Sequence, residues 1–131
     1  MNIAAFKNGD FEYLKEEMTA ITALTKNNAA LKVILETGLL SDEEIIRCCD
    51  LYKEFPVDYL KTSTGYAEKG ASVEAVQLMR AHLPSGISIK ASGGIKTYEF
   101  AQALLDAGAT RLGCSASVAI CNGEKAAEGG Y

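Results

Sequence analysis

Val57-Asp-Tyr-Leu-Lys61-Thr-Ser-Thr-Gly65 reads as a short strand that ends in a lysine and runs into a loop of small residues. Successive strand residues face opposite ways, so Lys61 shares a face with Tyr59 and Ser63. Lysine is a poor strand former and is seldom fully buried. Taken alone, a solvated lysine at a strand end is the commoner outcome. The chemical alternative is an amine that forms a Schiff base with a carbonyl compound. A second stretch, Ile87-Ser-Ile-Lys90-Ala-Ser-Gly93-Gly94-Ile95, repeats the design. The two lysines are about 30 residues apart, the length of one strand–helix–strand unit. As parallel neighbours roughly 4.8 Å apart, the strands would bring both lysines to one end of one sheet. Two ammonium groups so close disfavour each other's charge, and burial lowers their pKa further. A Schiff-base nucleophile needs that, because only the neutral amine attacks.

Outward from these strands, strand and helix patterns alternate. Met1–Phe6 looks like the stub of a strand. Asn8-Gly9-Asp10 is a turn ending in a helix N-cap, and Phe11, Leu14, Met18, Ile21 and Leu24 recur at helical spacing to about Lys26. Leu31–Thr37 is a strand. Ser41 and Glu44 form a capping box that starts a helix to about Phe55, and Pro56 stops it. After Val57–Ser63, Ser72 caps a helix that buries Val73, Val76, Met79 and Leu83. After Ile87–Ala91, Thr97 caps a helix carrying Phe100, Leu104 and Ala107, with Gly108 as its C-terminal glycine. Thr110–Cys114 is the last strand, and Ser115 to about Cys121 is a helical turn. Residues 124–131 are expected to be a frayed, flexible tail. The alternation predicts an α/β fold, a single domain over residues 1–131 built of right-handed parallel β/α units. The strands Val33–Leu35 and Ile87–Ala91 are too apolar for a sheet with one wet face. About five strands with open edges and an apolar inner face predict a homo-oligomer.

Composition narrows the class. The 131 residues are 48% hydrophobic and 23% charged, ordinary for a globular protein. A net charge of -4 and a pI near 5.0 argue against nucleic acid as a partner. No run of 18 apolar residues suggests a membrane span, and the N-terminus lacks the build of a signal peptide. Cys48, Cys49, Cys114 and Cys121 match no zinc spacing, so no metal site is expected. They read as reduced thiols of a cytoplasmic protein.

The blocks Lys61-Thr-Ser-Thr-Gly65, Lys90-Ala-Ser-Gly-Gly94, Leu31-Lys-Val-Ile-Leu-Glu-Thr37 and Arg111-Leu-Gly-Cys-Ser115 closely resemble deoxyribose-phosphate aldolase, a class I aldolase. The match runs in order from Met1 to about Asn122. The resemblance implies a TIM (β/α)₈ barrel, which typically takes about 250 residues. This chain would then be its C-terminal half, beginning inside the fourth strand. It makes Lys61 the Schiff-base lysine and Lys90 the lysine that tunes it. It implies reversible cleavage of 2-deoxy-D-ribose 5-phosphate to glyceraldehyde 3-phosphate and acetaldehyde. No cofactor or metal is required, because the iminium is the electron sink. Barrel loops after the last strands often bind phosphate, and the resemblance assigns that task to Gly65, Gly93, Gly94, Gly113 and Ser115. Plain turn glycines are the other reading of Gly93-Gly94. Ala116 stands where the family often has a second serine.

Lesser candidates remain open. Lys32 and Glu36 are expected to share a strand face as pocket support or as a structural charge pair. Thr64 could hold a water by the Schiff base or simply cap its loop. His82 receives no catalytic role. The family's catalytic aspartate falls a few residues before Asn2-Ile3, outside this sequence. Imine formation without efficient turnover is therefore expected, unless an N-terminal half-barrel complements the chain. A non-catalytic half-barrel that self-assembles and binds a phosphorylated ligand is the alternative.

Overall fold

Four parallel strands, β1 (Lys32–Ile34), β2 (Tyr59–Lys61), β3 (Ser88–Ser92) and β4 (Arg111–Gly113), pair in sequence order to form one sheet. They are seen in a computed structural model that describes residues 1–123. The expected tail, residues 124–131, lies outside the described residues. The intervening helices are α3 (Asp42–Tyr52), α4 (Val73–His82) and α5 (Tyr98–Asp106). Helices α1 (Ile3–Lys7) and α2 (Phe11–Thr25) precede the sheet, and α6 (Ser117–Cys121) follows it. This is the expected chain of crossover units.

The helices begin where the sequence supplies a side-chain acceptor for their unpaired N–H groups. Ser41 and Glu44 close the expected capping box: the Glu44 N–H donates to Ser41 Oγ over 3.3 Å, and the Ser41 N–H donates to Glu44 Oε2 over 2.8 Å. Asp10, Ser72 and Thr97 cap α2, α4 and α5 through Tyr13, Ala75 and Phe100. Gly108 has φ 112° at the expected C-terminal position of α5. At the end of the sheet where β3 begins, Arg80 gathers three carbonyls: Leu83 O at 2.9 Å, Pro84 O at 2.7 Å and Ile87 O at 3.0 Å.

The expected strand stub Met1–Phe6 is a helix. The Asn2 side chain accepts from Ala5 N–H at 3.0 Å and so starts a turn that two alanines favour. Phe6 then packs edge-on against Phe11. Only the Met1 ammonium reaches the sheet, donating to Ile34 O at 3.0 Å on the open edge of β1. The sheet therefore has four strands among the described residues, not five.

The register aligns Val33 with Leu60 and Ile89, and one residue further Ile34 with Lys61, Lys90 and Arg111. Leu35, Leu60, Thr62, Ile89 and Ala91 share one face and are fully buried with Val76, Met79 and Leu104. Each such leucine contributes about 1.5–3 kcal/mol by leaving water. The opposite face is not the apolar surface expected. It carries Lys32, Ile34, Tyr59, Lys61, Ser88 and Lys90, all half-buried, and the exposed Arg111. The apolar strand runs Val33–Leu35 and Ile87–Ala91 suggested two dry faces. Period-two alternation instead sends one lysine per strand to the uncovered side. Leu24, on the expected apolar stripe of α2, is also 78% exposed.

Candidate functional site

Lys61 is the last residue of β2, and Lys90 is its register partner on β3. Both side chains line a cavity of about 290 Å³ at the C-terminal end of the strands. Thr64, Gly65, Gly93, Gly94, Gly113 and Ser115 line the same cavity, so every residue expected for phosphate contact lies around the lysine pair. Burial holds the Lys61 ammonium below its ordinary pKa. The neighbouring Lys90 charge adds to that effect, and Glu36 opposes it.

The loops behind the lysines are joined by buried hydroxyls that sequence reasoning missed. Thr62 Oγ1 donates to Ser92 O at 3.3 Å and accepts from Ser92 N–H at 3.1 Å. Ser92 Oγ donates to Ser63 O at 2.6 Å, and Ser63 Oγ donates to Thr62 Oγ1 at 3.2 Å. Thr62 and Ser63 are fully buried and Ser92 nearly so. The only signal in the sequence was the density of Ser and Thr after each lysine. Such residues read equally well as loop polarity.

Two glycines admit close approaches. A Cβ on Gly113 would stand 2.9 Å from Lys90 Cε and from Ser92 Cβ, so the missing side chain is the space that the Lys90 stem occupies. Gly93 has φ 88° and Gly94 φ 75°, conformations that most side chains resist. The Gly93 carbonyl accepts from Ala71 N–H at 3.0 Å, which folds the long loop after β2 back over the site. Cys114, read from the sequence as a reduced thiol with no role in the site, also lines the cavity, with its Sγ 3.4 Å from Ser117 Oγ. Ala116, at the N-cap of α6, gives that helix no side-chain cap.

Lys32 and Glu36 do not stand together as a pair. Lys32 lies over the Tyr59 ring, 5.3 Å from its centroid, and Arg111 covers the same ring at 4.7 Å. Glu36 lies beyond the end of β1 and accepts from Thr64 through both its backbone N–H and its hydroxyl. Thr64 therefore ties its loop to Glu36 while still lining the lysine cavity. A second cavity, of about 370 Å³, lies at the open edge of β1, where Met1, Glu17, Lys32, Glu36, Tyr52 and Thr64 contribute to its wall. The buried Tyr52 hydroxyl has no hydrogen-bond partner among the described residues. Burial pushes its pKa up, above the ordinary phenol range, so it stays protonated. No group of three or more metal-ligating side chains occurs among the described residues, and no helix there is long and apolar enough to cross a membrane.

No family model matches the chain. A deoxyribose-phosphate aldolase of Clostridium novyi is 44% identical over 131 residues, all of this chain and 59% of that protein. Among solved structures, the aldolase QR15 superposes with a TM-score of 0.85 at 38% identity, covering 92% of this chain and 54% of the other. The deoxyribose phosphate aldolase of Aeropyrum pernix, described as a unique tetramer, gives a TM-score of 0.77 at 33% identity over 86% of this chain and 49% of its own. The chain thus spans about half to three fifths of the length of the relatives it matches. Its four-stranded parallel sheet with flanking helices is part of a TIM barrel.

Proposed function

We infer function from kinship: the chain is homologous along its whole length to part of the deoxyribose-phosphate aldolases, and we propose that it carries their Schiff-base machinery. One observation carries the proposal. The two lysines are register partners at the C-terminal end of adjacent strands, over a cavity walled by glycine loops. The neutral Lys61 amine attacks an aldehyde carbon, and loss of water leaves a protonated imine. The C3 hydroxyl then gives up its proton and becomes the aldehyde of the departing glyceraldehyde 3-phosphate, while the electron pair of the breaking C2–C3 bond flows into the imine and gives an enamine. Protonation and hydrolysis then release acetaldehyde and free Lys61. Lys90 disfavours the charged form of Lys61 and exchanges protons with the intermediates. Gly65, Gly93, Gly94, Gly113 and Ser115 receive the phosphate of 2-deoxy-D-ribose 5-phosphate through backbone N–H groups and a hydroxyl. The iminium supplies the electron sink, so the reaction needs no added cofactor.

Assembly follows from the open face. Lys32, Lys61, Lys90 and Arg111 share it, with Glu36 at its rim. Closing two copies face to face would crowd two such sets, and like charges disfavour that. A complementing N-terminal half-barrel that brings carboxylates is the favoured partner, and a homo-oligomer through other surfaces is compatible with it. The four cysteines are free thiols, two of them buried, which supports a cytoplasmic setting. Alone, the chain forms the imine and turns over poorly. Incubation with acetaldehyde and borohydride, followed by peptide mapping, should find the adduct on Lys61. An adduct on Lys90 instead, or none, sinks the proposal.

A further inference from the structure

Glu36 is strained, buried and aimed. Its φ of 62° lies in the left-handed region, shared by only one other described non-glycine residue, Asn27. Asparagine visits that region readily, and glutamate does not. Glu36 is 6% exposed. Ladder bonds grip the backbone on both sides: Leu35 N–H donates to Lys61 O at 2.9 Å, and Thr37 N–H donates to Thr62 O at 2.8 Å. Strain of this kind persists where surroundings over-determine it, and it gathers at functional sites.

The twist points the carboxylate at Thr64. The Thr64 N–H lies 3.1 and 3.2 Å from the two oxygens, and its hydroxyl donates to Oε2 at 2.6 Å. A threonine hydroxyl has one proton to give and two lone pairs. The proton goes to Glu36, and Tyr66 N–H occupies one lone pair at 3.2 Å. What remains at the Lys61 cavity, which Thr64 lines, is an acceptor that cannot donate.

We propose that Glu36 is the positioning residue of the lysine site, acting through Thr64. It pins the loop that follows Lys61 and fixes the Thr64 oxygen as an obligate acceptor for an N–H or O–H of whatever is bound to Lys61. The chemistry rests on the aldolase reading, whereas the geometry does not. Glu36 is also the carboxylate whose charge acts on Lys61. The charged groups around it are the Met1 ammonium, Lys32 and Glu17 along its own cavity, and Lys61 backed by Lys90.

Three readouts on Glu36→Gln, Thr64→Val and the double variant test this. Hydrogen exchange at the Thr64 amide reads the pin. The pH profile of Lys61 acylation by acetic anhydride reads the amine whether or not an aldehyde binds. Acetaldehyde trapping with borohydride, on the alkaline plateau where the amine is neutral in every variant, reads the acceptor. With Glu36→Gln, Thr64 exchange should rise, the acylation profile should move to lower pH because the supporting anion is gone, and trapping should slow about tenfold. Thr64→Val should slow trapping equally, the double variant should be no slower than either, and Thr64→Ser should restore the rate. Unchanged Thr64 exchange in Glu36→Gln, or a double variant whose losses multiply, overturns the proposal. If the unaltered protein traps no acetaldehyde at Lys61, the aldolase reading fails, while exchange and acylation still decide on Glu36. Should Glu36→Gln not fold, Glu36→Gly removes the carboxylate at no backbone cost and carries the same readouts.

Discussion

The two faces of the sheet differ by a single step along each strand. Val33, Leu60 and Ile89 form a row sealed under helices. One residue later, Ile34, Lys61, Lys90 and Arg111 form a row open to the other side. The first row is exchangeable chemistry: any set of apolar side chains of matching volume would serve. The second is specific chemistry placed on the same rigid frame. Stability and reactivity are therefore carried by interleaved residues, and a one-residue slip in register would exchange their places.

The largest expected effect breaks the second face and spares the first. Lys61→Met should abolish borohydride trapping while changing stability by no more than about 0.5 kcal/mol, because a half-open side chain is replaced. Next, Leu60→Ala should do the reverse. It should cost about 2–5 kcal/mol in urea unfolding, since a fully buried leucine leaves a cavity, with trapping per folded molecule nearly unchanged. Comparable losses of trapping from both variants would show that the faces are not separable. Gly113→Ala sharpens the comparison at the point where strand backbone and lysine stem meet. Overpacking against Lys90 Cε should cost roughly 1–3 kcal/mol and also disturb trapping. The smallest effect is electrostatic. Lys90→Met removes the cation that disfavours the Lys61 ammonium, so Lys61 titrates higher and its acylation profile moves to higher pH. Glu36→Gln moves that profile the opposite way. No displacement by either variant would mean that burial alone governs Lys61.

Much of this was legible in the chain. The lysine–small–glycine blocks located both strand ends, and the Ser41, Ser72 and Thr97 caps dated the start of three helices. Period-two logic put the lysines on a common face. Helix α1 was hidden because Met1–Phe6 is short and apolar, and six such residues suit either a strand or a turn of helix. The Asn2 cap was the one clue. The openness of the lysine face was hidden for a different reason. β1 offers just one open-face charge, Lys32, beside Ile34, so the run looked uniformly apolar. Glu36 was visible as a charge near the pocket, but its left-handed backbone was not. No local rule asks a glutamate to adopt it, and only the grip of β2 on both flanking residues does.

At the other end of the sheet, Arg80 has a consequence for how this molecule can be handled. Its guanidinium collects the Leu83, Pro84 and Ile87 carbonyls, and its stem fills the space over Gly108. A guanidinium keeps its proton at any pH a protein survives. The entrance to β3 is thus latched by a group blind to alkali, while the exit of β2 holds an amine that responds to it. The two ends are chemically independent. Raising the pH far enough to neutralise Lys61 at the exit leaves the Arg80 hydrogen bonds at the entrance in place, so an alkaline titration of that amine is compatible with a closed latch.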